Sequence, residues 1–393
     1  MKRARTKRRG GIGRPAEELL WLATGLAESC CRVEDRYWDE RLGAAVEVSL
    51  AHDDEDTLNA ALDQAFTRTG SVYDDLADAI ESRTESPTAV PTGSGKNHNL
   101  LLLAAPVLAW SRFRIPARSL PAATLANLRV HLQAHVLARN TQLALADYLF
   151  SPDQLPQGYC STHGLASVMG RAALDNSDFH VDPEELVETA QFLSDTRYLL
   201  VGVAAPKDGA IFRWQENDGN RADALAQWRG QGGGCLTPLL PGCALEFCLP
   251  ESYFSACRAA DKASRPYSIC ASIAFLATSL EVPVSNLRAV VAPFWGEQIE
   301  EYRIGFTVTD NNNVVHGVVW PLLGAEDDAI DVPGEIEAVL RECGVTAIRI
   351  LDHRFPLEYC DDCGAPLYPS PEGEMEHAEM PELEEGQIPR HLH

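Results

Sequence analysis

Apolar positions follow two regimes along the chain. Between Pro15 and Ile80 they recur every three to four residues, and from Leu100 onward they form short runs or strict alternations. The first regime predicts helices. Leu19, Leu22, Ala23 and Leu26 form a stripe behind Pro15, which sits where a first helical turn accepts proline, with Glu17 and Glu18 at the positive end of the dipole. A second helix is expected from about Glu34 to Leu50, with Trp38, Leu42, Ala45 and Val46 on one face. A third should start near Asp56, a good N-cap, and run through Leu58, Leu62, Phe66, Tyr73, Leu76 and Ile80. Residues 15–83 thus form a small helical unit, and residues 84–98, rich in Pro, Ser, Thr and Gly, form a linker. Gly93-Ser94-Gly95-Lys96 within it is no phosphate loop. The first glycine of the required spacing is absent, Asn97 replaces Ser or Thr, and the segment precedes a strand instead of following one.

The second regime predicts strands and helices in a weakly duplicated order. Residues 99–242 read as strand Leu100–Trp110, helix Pro121–Ala138, strand Gln142–Phe150, hairpin Tyr198–Ala205 with Ala210–Trp214, helix Arg221–Arg229 and strand Cys235–Leu239. Residues 243–358 repeat it as strand Ala244–Leu249, helix Tyr267–Leu280, strand Asn286–Phe294, hairpin Tyr302–Thr309 with Val314–Trp320, helix Gly334–Cys343 and strand Thr346–Leu351. Leu143, Phe150 and Gln154 stand 144 residues before Leu287, Phe294 and Gln298, whereas Tyr198 stands 104 before Tyr302. The step implies an insertion at 156–195 in the first unit, with helices at about 165–175 and 183–194. Tyr302, Ile304, Phe306 and Val308 alternate with Arg303, Gly305, Thr307 and Thr309, so that strand should keep one wet face. The expected class is α+β: a helical N-terminal unit, then two β-α-β-β-β-α-β units with mixed or antiparallel sheets.

Charge and cysteine content narrow the picture. A formal net charge of −24 argues against a protein that coats nucleic acid or an anionic membrane. Residues 1–14 are the exception, with seven Lys or Arg and no acid: a disordered basic arm, open to contact with nucleic acid or the ribosome. Residues 372–393 are expected to be an acidic disordered tail. The eleven cysteines are odd in number and mostly lie in apolar runs, which suits reduced thiols in the cytoplasm better than a secreted disulfide framework. No run of 18 apolar residues suggests a membrane span, and Glu17, Glu18 and Glu28 spoil the likeness of the N-terminus to an export signal.

The sharpest chemical signal is Tyr359-Cys360-Asp361-Asp362-Cys363-Gly364, followed by Ala365-Pro366. Two thiolates at this spacing reach one ion, and the glycine lets the chain turn beneath it with N–H groups aimed at sulfur. Residues 359–371 therefore read as a metal-like knuckle. Tyr159-Cys160-Ser161-Thr162-His163-Gly164 is a near-copy. The pair predicts one structural zinc held by Cys160, His163, Cys360 and Cys363, with His377, His391 and His393 as alternative ligands. A redox pair is disfavoured, because no strand-to-helix context follows and Asp361 and Asp362 oppose thiolate charge. His131 and His135 lie four apart on a helix but lack the catalytic Glu of a metalloprotease. Asp352-His353-Arg354 follows a strand, yet no nucleophile is tied to it by spacing, so no catalytic residue is assigned.

Leu351-Asp352-His353-Arg354-Phe355-Pro356-Leu357-Glu358-Tyr359-Cys360 through Pro369, Glu372 through Pro381, and the early Arg32-Val33-Glu34-Asp35-Arg36-Tyr37-Trp38 resemble a family of uncharacterised betaproteobacterial proteins carried as a domain of unknown function. The resemblance spans nearly the whole chain. It implies a bacterial cytoplasmic protein and brings no activity or site residues. The first functional reading is a non-enzymatic binding or regulatory protein with a structural zinc. A metal-dependent enzyme using the same site and an RNA- or ribosome-associated protein acting through residues 1–14 are the alternatives.

Overall fold

The computed structural model describes residues 13–68, 71–87, 98–111, 113–189, 193–207, 209–296, 298–309, 311–322 and 331–380. Most of the basic arm (1–12), most of the linker (88–97) and the end of the acidic tail (381–393) lie outside the described residues. Four helices come first: α1 (Arg14–Ala27), α2 (Arg32–Ala51), α3 (Glu55–Phe66) and α4 (Val72–Glu85). Their stripes do what a 3.6-residue period dictates, and Leu19, Leu22, Leu42, Val46, Leu58, Leu76 and Ile80 share one core. The expected third helix is two helices. Asp54 rather than Asp56 caps α3, its side chain accepting from the Thr57 amide at 3.2 Å. The chain then breaks after Phe66.

The first sheet contains β1 (His98–Trp110), β2 (Arg118–Ser119), β3 (Gln142–Phe150), β4 (Ser194–Pro206), β5 (Ala244–Phe247) and β6 (Glu251–Ser252). Their order is β2-β3-β4-β1-β5, with β6 also on β1, and every pairing is antiparallel. Helices α5 (Ala122–His131), α6 (Tyr159–Leu174), α7 (Arg221–Gln227) and α8 (Tyr253–Ser279) cover it. Both faces are buried, which is why β1 is an unbroken apolar run. Leu101, Leu103 and Val107 pack with Leu128, Leu132 and Trp228, while Leu102, Ala104 and Leu108 pack with Met169 and Tyr253.

Helix α8 is the spine between the two sheets. Tyr253, Ala256 and Ala260 pack on the first sheet, and Ile269, Ile273 and Leu276 pack on the second. The expected helix Tyr267–Leu280 is only its back half: α8 starts at Tyr253 and runs on through Pro266. The second sheet contains β7 (Leu287–Trp295), β8 (Ile299–Val308), β9 (Asn311–Pro321), β10 (Ala347–Ile350) and β11 (Phe355–Pro356), with α9 (Val332–Glu342). The order is β10-β7-β8-β9; β10 and β11 run parallel to β7, and the other pairings are antiparallel. A two-stranded ribbon, β12 (Tyr368–Pro369) with β13 (Met375–Glu376), ends the described chain. The fold is α+β with antiparallel and mixed sheets.

The expected repeat does not extend to strand order. Ala210–Trp214 is an isolated bridge at Phe212 running into a 3-10 turn, Cys235–Leu239 lies in short 3-10 turns instead of a strand, and β5 pairs with β1 in the first sheet. Among the described residues the corresponding strands share one antiparallel pair, β3–β4 in the first sheet and β7–β8 in the second. In the insertion, α6 begins at Tyr159 rather than near 165, and among the described residues of 183–194 there is a 3-10 turn at Pro183–Glu185 and no α-helix. One pair of cysteines departs from the reduced state expected: Cys270 on α8 and Cys343 after α9 form a disulfide, with Cα atoms 5.7 Å apart. No helix among the described residues is long and apolar enough to cross a membrane.

Candidate metal centre

The centre is built on the outer face of the second sheet. The alternation in β8 is real, but the face expected to be wet is covered: Arg303 and Thr307 are 0% exposed. Residues 355–380 lie across it. Gly305 and Gly317 are paired in register and leave room for this segment. A Cβ on Gly305 would sit 2.2 Å from the Pro369 carbonyl oxygen, and one on Gly317 would strike the Tyr368 ring at 2.3 Å. Arg303 then ties the segment down. Its Nε donates to Glu301 at 2.6 Å, and one terminal nitrogen donates to the carbonyls of Glu358 and Leu367 at 2.7 and 2.8 Å. Its guanidinium also stacks between Phe294 and Tyr359, 4.2 and 5.0 Å from the ring centres.

Glu358 and Leu367 are the two feet of the cysteine loop, so Arg303 fixes the loop's base. Above it the Cys360 amide donates to Ala365 O at 2.7 Å and the Gly364 amide to Cys360 O at 2.8 Å. Gly364 has φ +72 with open space where a Cβ would be, so its glycine is required by conformation and not by crowding. The backbone N–H groups of Asp362 and Cys363 hold the Cys360 thiol below its ordinary range, against the opposing charge of Asp362. The chain leaves through β12, turns at Ser370–Gly373 and returns as β13, with Tyr368 opposite Glu376. That register delivers His377 beside the loop. The Val314 amide donates to Glu376 at 3.3 Å and the Glu379 amide donates to Val314 O at 2.9 Å, bracketing the histidine against β9.

His377 Nε2 lies 3.2 Å from Cys363 Sγ, and its Nδ1 lies 3.6 Å from a Glu379 carboxylate oxygen. Cys360, Cys363 and His377 each offer a donor atom, all within 4.8 Å of one another. A carboxylate behind the far ring nitrogen is the arrangement that orients a metal-binding imidazole.

Two of the four residues expected to share a metal are therefore together, and two are elsewhere. Cys160 and His163 lie in the first turns of α6, which docks on the helical unit. Cys160 is buried in that unit's core, and burial, aided by the Glu55 carboxylate, pushes its thiol up to about 12. Glu55 accepts from the amides of Tyr159 and Cys160 at 2.9 and 2.8 Å, so it caps α6 from another element. His163 Nδ1 is 3.3 Å from the Arg83 carbonyl. The four-ligand site across the body is not formed, because the same letters fold as a helix here.

His377, an alternative in the sequence reading, is the third member of the cluster. Thirteen residues separate it from Cys363, inside the 12–15 window of zinc motifs, and that spacing could have promoted it. His391 and His393 lie outside the described residues. The expected disordered tail is thus ordered at 372–380, where Met380 also packs on the second core. Of the other candidates, His131 and His135 stack with ring centres 6.0 Å apart, the exposed His353 lies on Phe355, and the exposed Arg354 covers Trp295 at 4.0 Å.

No curated protein and no solved structure matches the chain. A family model described as "Protein of unknown function (DUF2863)" matches residues 4–391, nearly the full length, and the chain belongs to that family.

Proposed function

We propose that the chain holds one zinc ion on Cys360, Cys363 and His377, and that the ion clamps residues 355–380 in a non-enzymatic binding or regulatory protein. The convergence of two thiols and an imidazole within 4.8 Å carries this reading. Two sulfurs and one nitrogen suit zinc and disfavour calcium or magnesium. Tetrahedral zinc keeps such donors about 3.5–3.8 Å apart, a small adjustment from the 3.2 Å between Cys363 and His377. The segment it would secure adds only Phe355, Leu357 and Met375 to a small core with Phe294 and Leu351. That is where a metal staple adds most to stability.

One observation favours the enzyme alternative. The described residues supply three donors and not four, and three protein ligands with an open position is the catalytic arrangement of zinc. Cobalt substitution separates the two: a fourth protein ligand leaves the visible spectrum insensitive to added azide, whereas an exchangeable water does not.

The clamp is tested by stripping the metal with a chelator and following amide hydrogen exchange. Exchange should rise across 358–380 while β1 and β4 keep their protection. Unchanged exchange after demonstrated metal removal would contradict the clamp.

A further inference from the structure

The helical unit carries a groove that the metal reading leaves unused. Phe66 at the end of α3 and Tyr73 at the start of α4 meet edge to face, with ring centres 5.6 Å apart. Phe66 is 71% exposed and Tyr73 38%, so both rings present faces to solvent. Tyr159, the first residue of α6, closes another side and is itself held 6.0 Å from Phe254. With Asn59, Leu62 and Asp63 these rings line a cavity of about 410 Å³.

The charge around it is mostly negative. Helices α3 and α4 carry eight acidic side chains, of which Glu85 is largely buried and Glu55 caps α6, and one arginine, Arg83, which faces Asp39 and Glu47 at 3.9 and 3.6 Å; the nearby Arg258 of α8 is paired with Glu81. Such a surface repels phosphate and attracts cations. Aromatic faces attract an ammonium or guanidinium through their quadrupoles, most strongly where water is partly excluded. The alkyl stem of Lys or Arg finds apolar cover on the same rings.

We infer that this groove binds a basic side chain of a lysine- or arginine-bearing peptide, with Phe66, Tyr73 and Tyr159 around the cation and Asp63 as its counter-charge. The groove lies on the helical unit and uses no residue of the metal cluster, so the two proposals stand or fall separately.

The test is fluorescence anisotropy with a labelled peptide KRARTKRR, the sequence of residues 2–9, titrated into the full chain. A second protein carries Lys2, Arg3, Arg5, Lys7, Arg8 and Arg9 all changed to Ala, which removes competition from the chain's own basic residues. Saturable binding to either protein is expected. It should weaken about tenfold in Phe66→Ala/Tyr73→Ala and about threefold in Asp63→Asn, with the unfolding temperature of both variants unchanged. Equal binding by the aromatic double variant would overturn the proposal, since attraction would then come from the acidic surface at large. No binding to either protein up to about 1 mM peptide, or binding of single-stranded RNA in place of the peptide, would overturn it as well.

Discussion

Tyr159-Cys160-Ser161-Thr162-His163-Gly164 and Tyr359-Cys360-Asp361-Asp362-Cys363-Gly364 share a pattern and no structure. The first opens α6; the second is a loop closed on itself by two backbone hydrogen bonds. The flanks decide between them. Leu165-Ala166-Ser167-Val168-Met169 continues a helix whose first amides Glu55 already satisfies. Ala365-Pro366 and Pro369 cannot, because proline has no N–H to donate and turns the preceding residue away from helix. The thiols then diverge: burial raises Cys160, whereas amide groups lower Cys360. The spacing of two ligands only permits a site. Only around Cys360 does the backbone aim N–H groups at sulfur and a returning strand bring a third donor atom close.

The largest break in this comparison should come from Arg303→Met. It removes the post beneath the cysteine loop and strands Glu301 with two carbonyls in a buried place. A loss of about 3–5 kcal/mol is expected in urea unfolding, with the helical copy untouched.

The helical copy belongs to an interface where the helical unit supplies two carboxylate caps, Glu55 to α6 and Glu85 to α8, the latter accepting from the Phe254 amide at 3.0 Å. Burial raises Glu85 from 4.5 to about 7, opposed by its hydrogen bonds to Phe254 and Ser252. A carboxyl with a folded value above its unfolded one gives stability that is full below pH 4.5 and lost as pH rises towards 7. The total is about 3 kcal/mol. Glu85→Gln should flatten that part of the pH–stability curve; an unaltered slope between pH 5 and 7 would show the cap to be solvated.

Glu55→Ala should cost about 1–2 kcal/mol by exposing the α6 N-terminus. It should raise hydrogen exchange at Tyr159 and Cys160 and leave the cysteine loop as it was.

The two glycines give the smallest effect and the sharpest sign. Gly164 sits in a helix with open space around it, so Gly164→Ala should stabilise by about 0.5–1 kcal/mol. Gly364 holds φ +72, so Gly364→Ala should destabilise by about 1 kcal/mol or more. Thermal unfolding shifts of the same sign in both would erase the distinction drawn between the segments.

Much of this was legible in the chain. The 3.6-residue stripes found α1 and α2, and short apolar runs bounded by turn residues found β1, β3, β4, β7, β8, β9 and β10. Pairing was not legible, because nothing local says that Ala244–Phe247 joins β1 instead of starting a second sheet. The alternation of β8 gave two faces without saying what covers them. Its cover, residues 355–380, looks polar and docks through backbone carbonyls on Arg303 and through the Gly305–Gly317 gap. Cys360 and Cys363 were visible from spacing; the choice of His377 over Cys160 and His163 depended on the β12–β13 register, which no short motif encodes.

On the proposed reading, one of the two look-alike segments binds metal and the other does not. Zinc content of purified variants tests it most directly. About one zinc per chain is expected in the wild type and in Cys160→Ser, and loss of the metal in Cys360→Ser, Cys363→Ser and His377→Ala. Zinc lost from folded Cys160→Ser, or absent from the wild type, would contradict it.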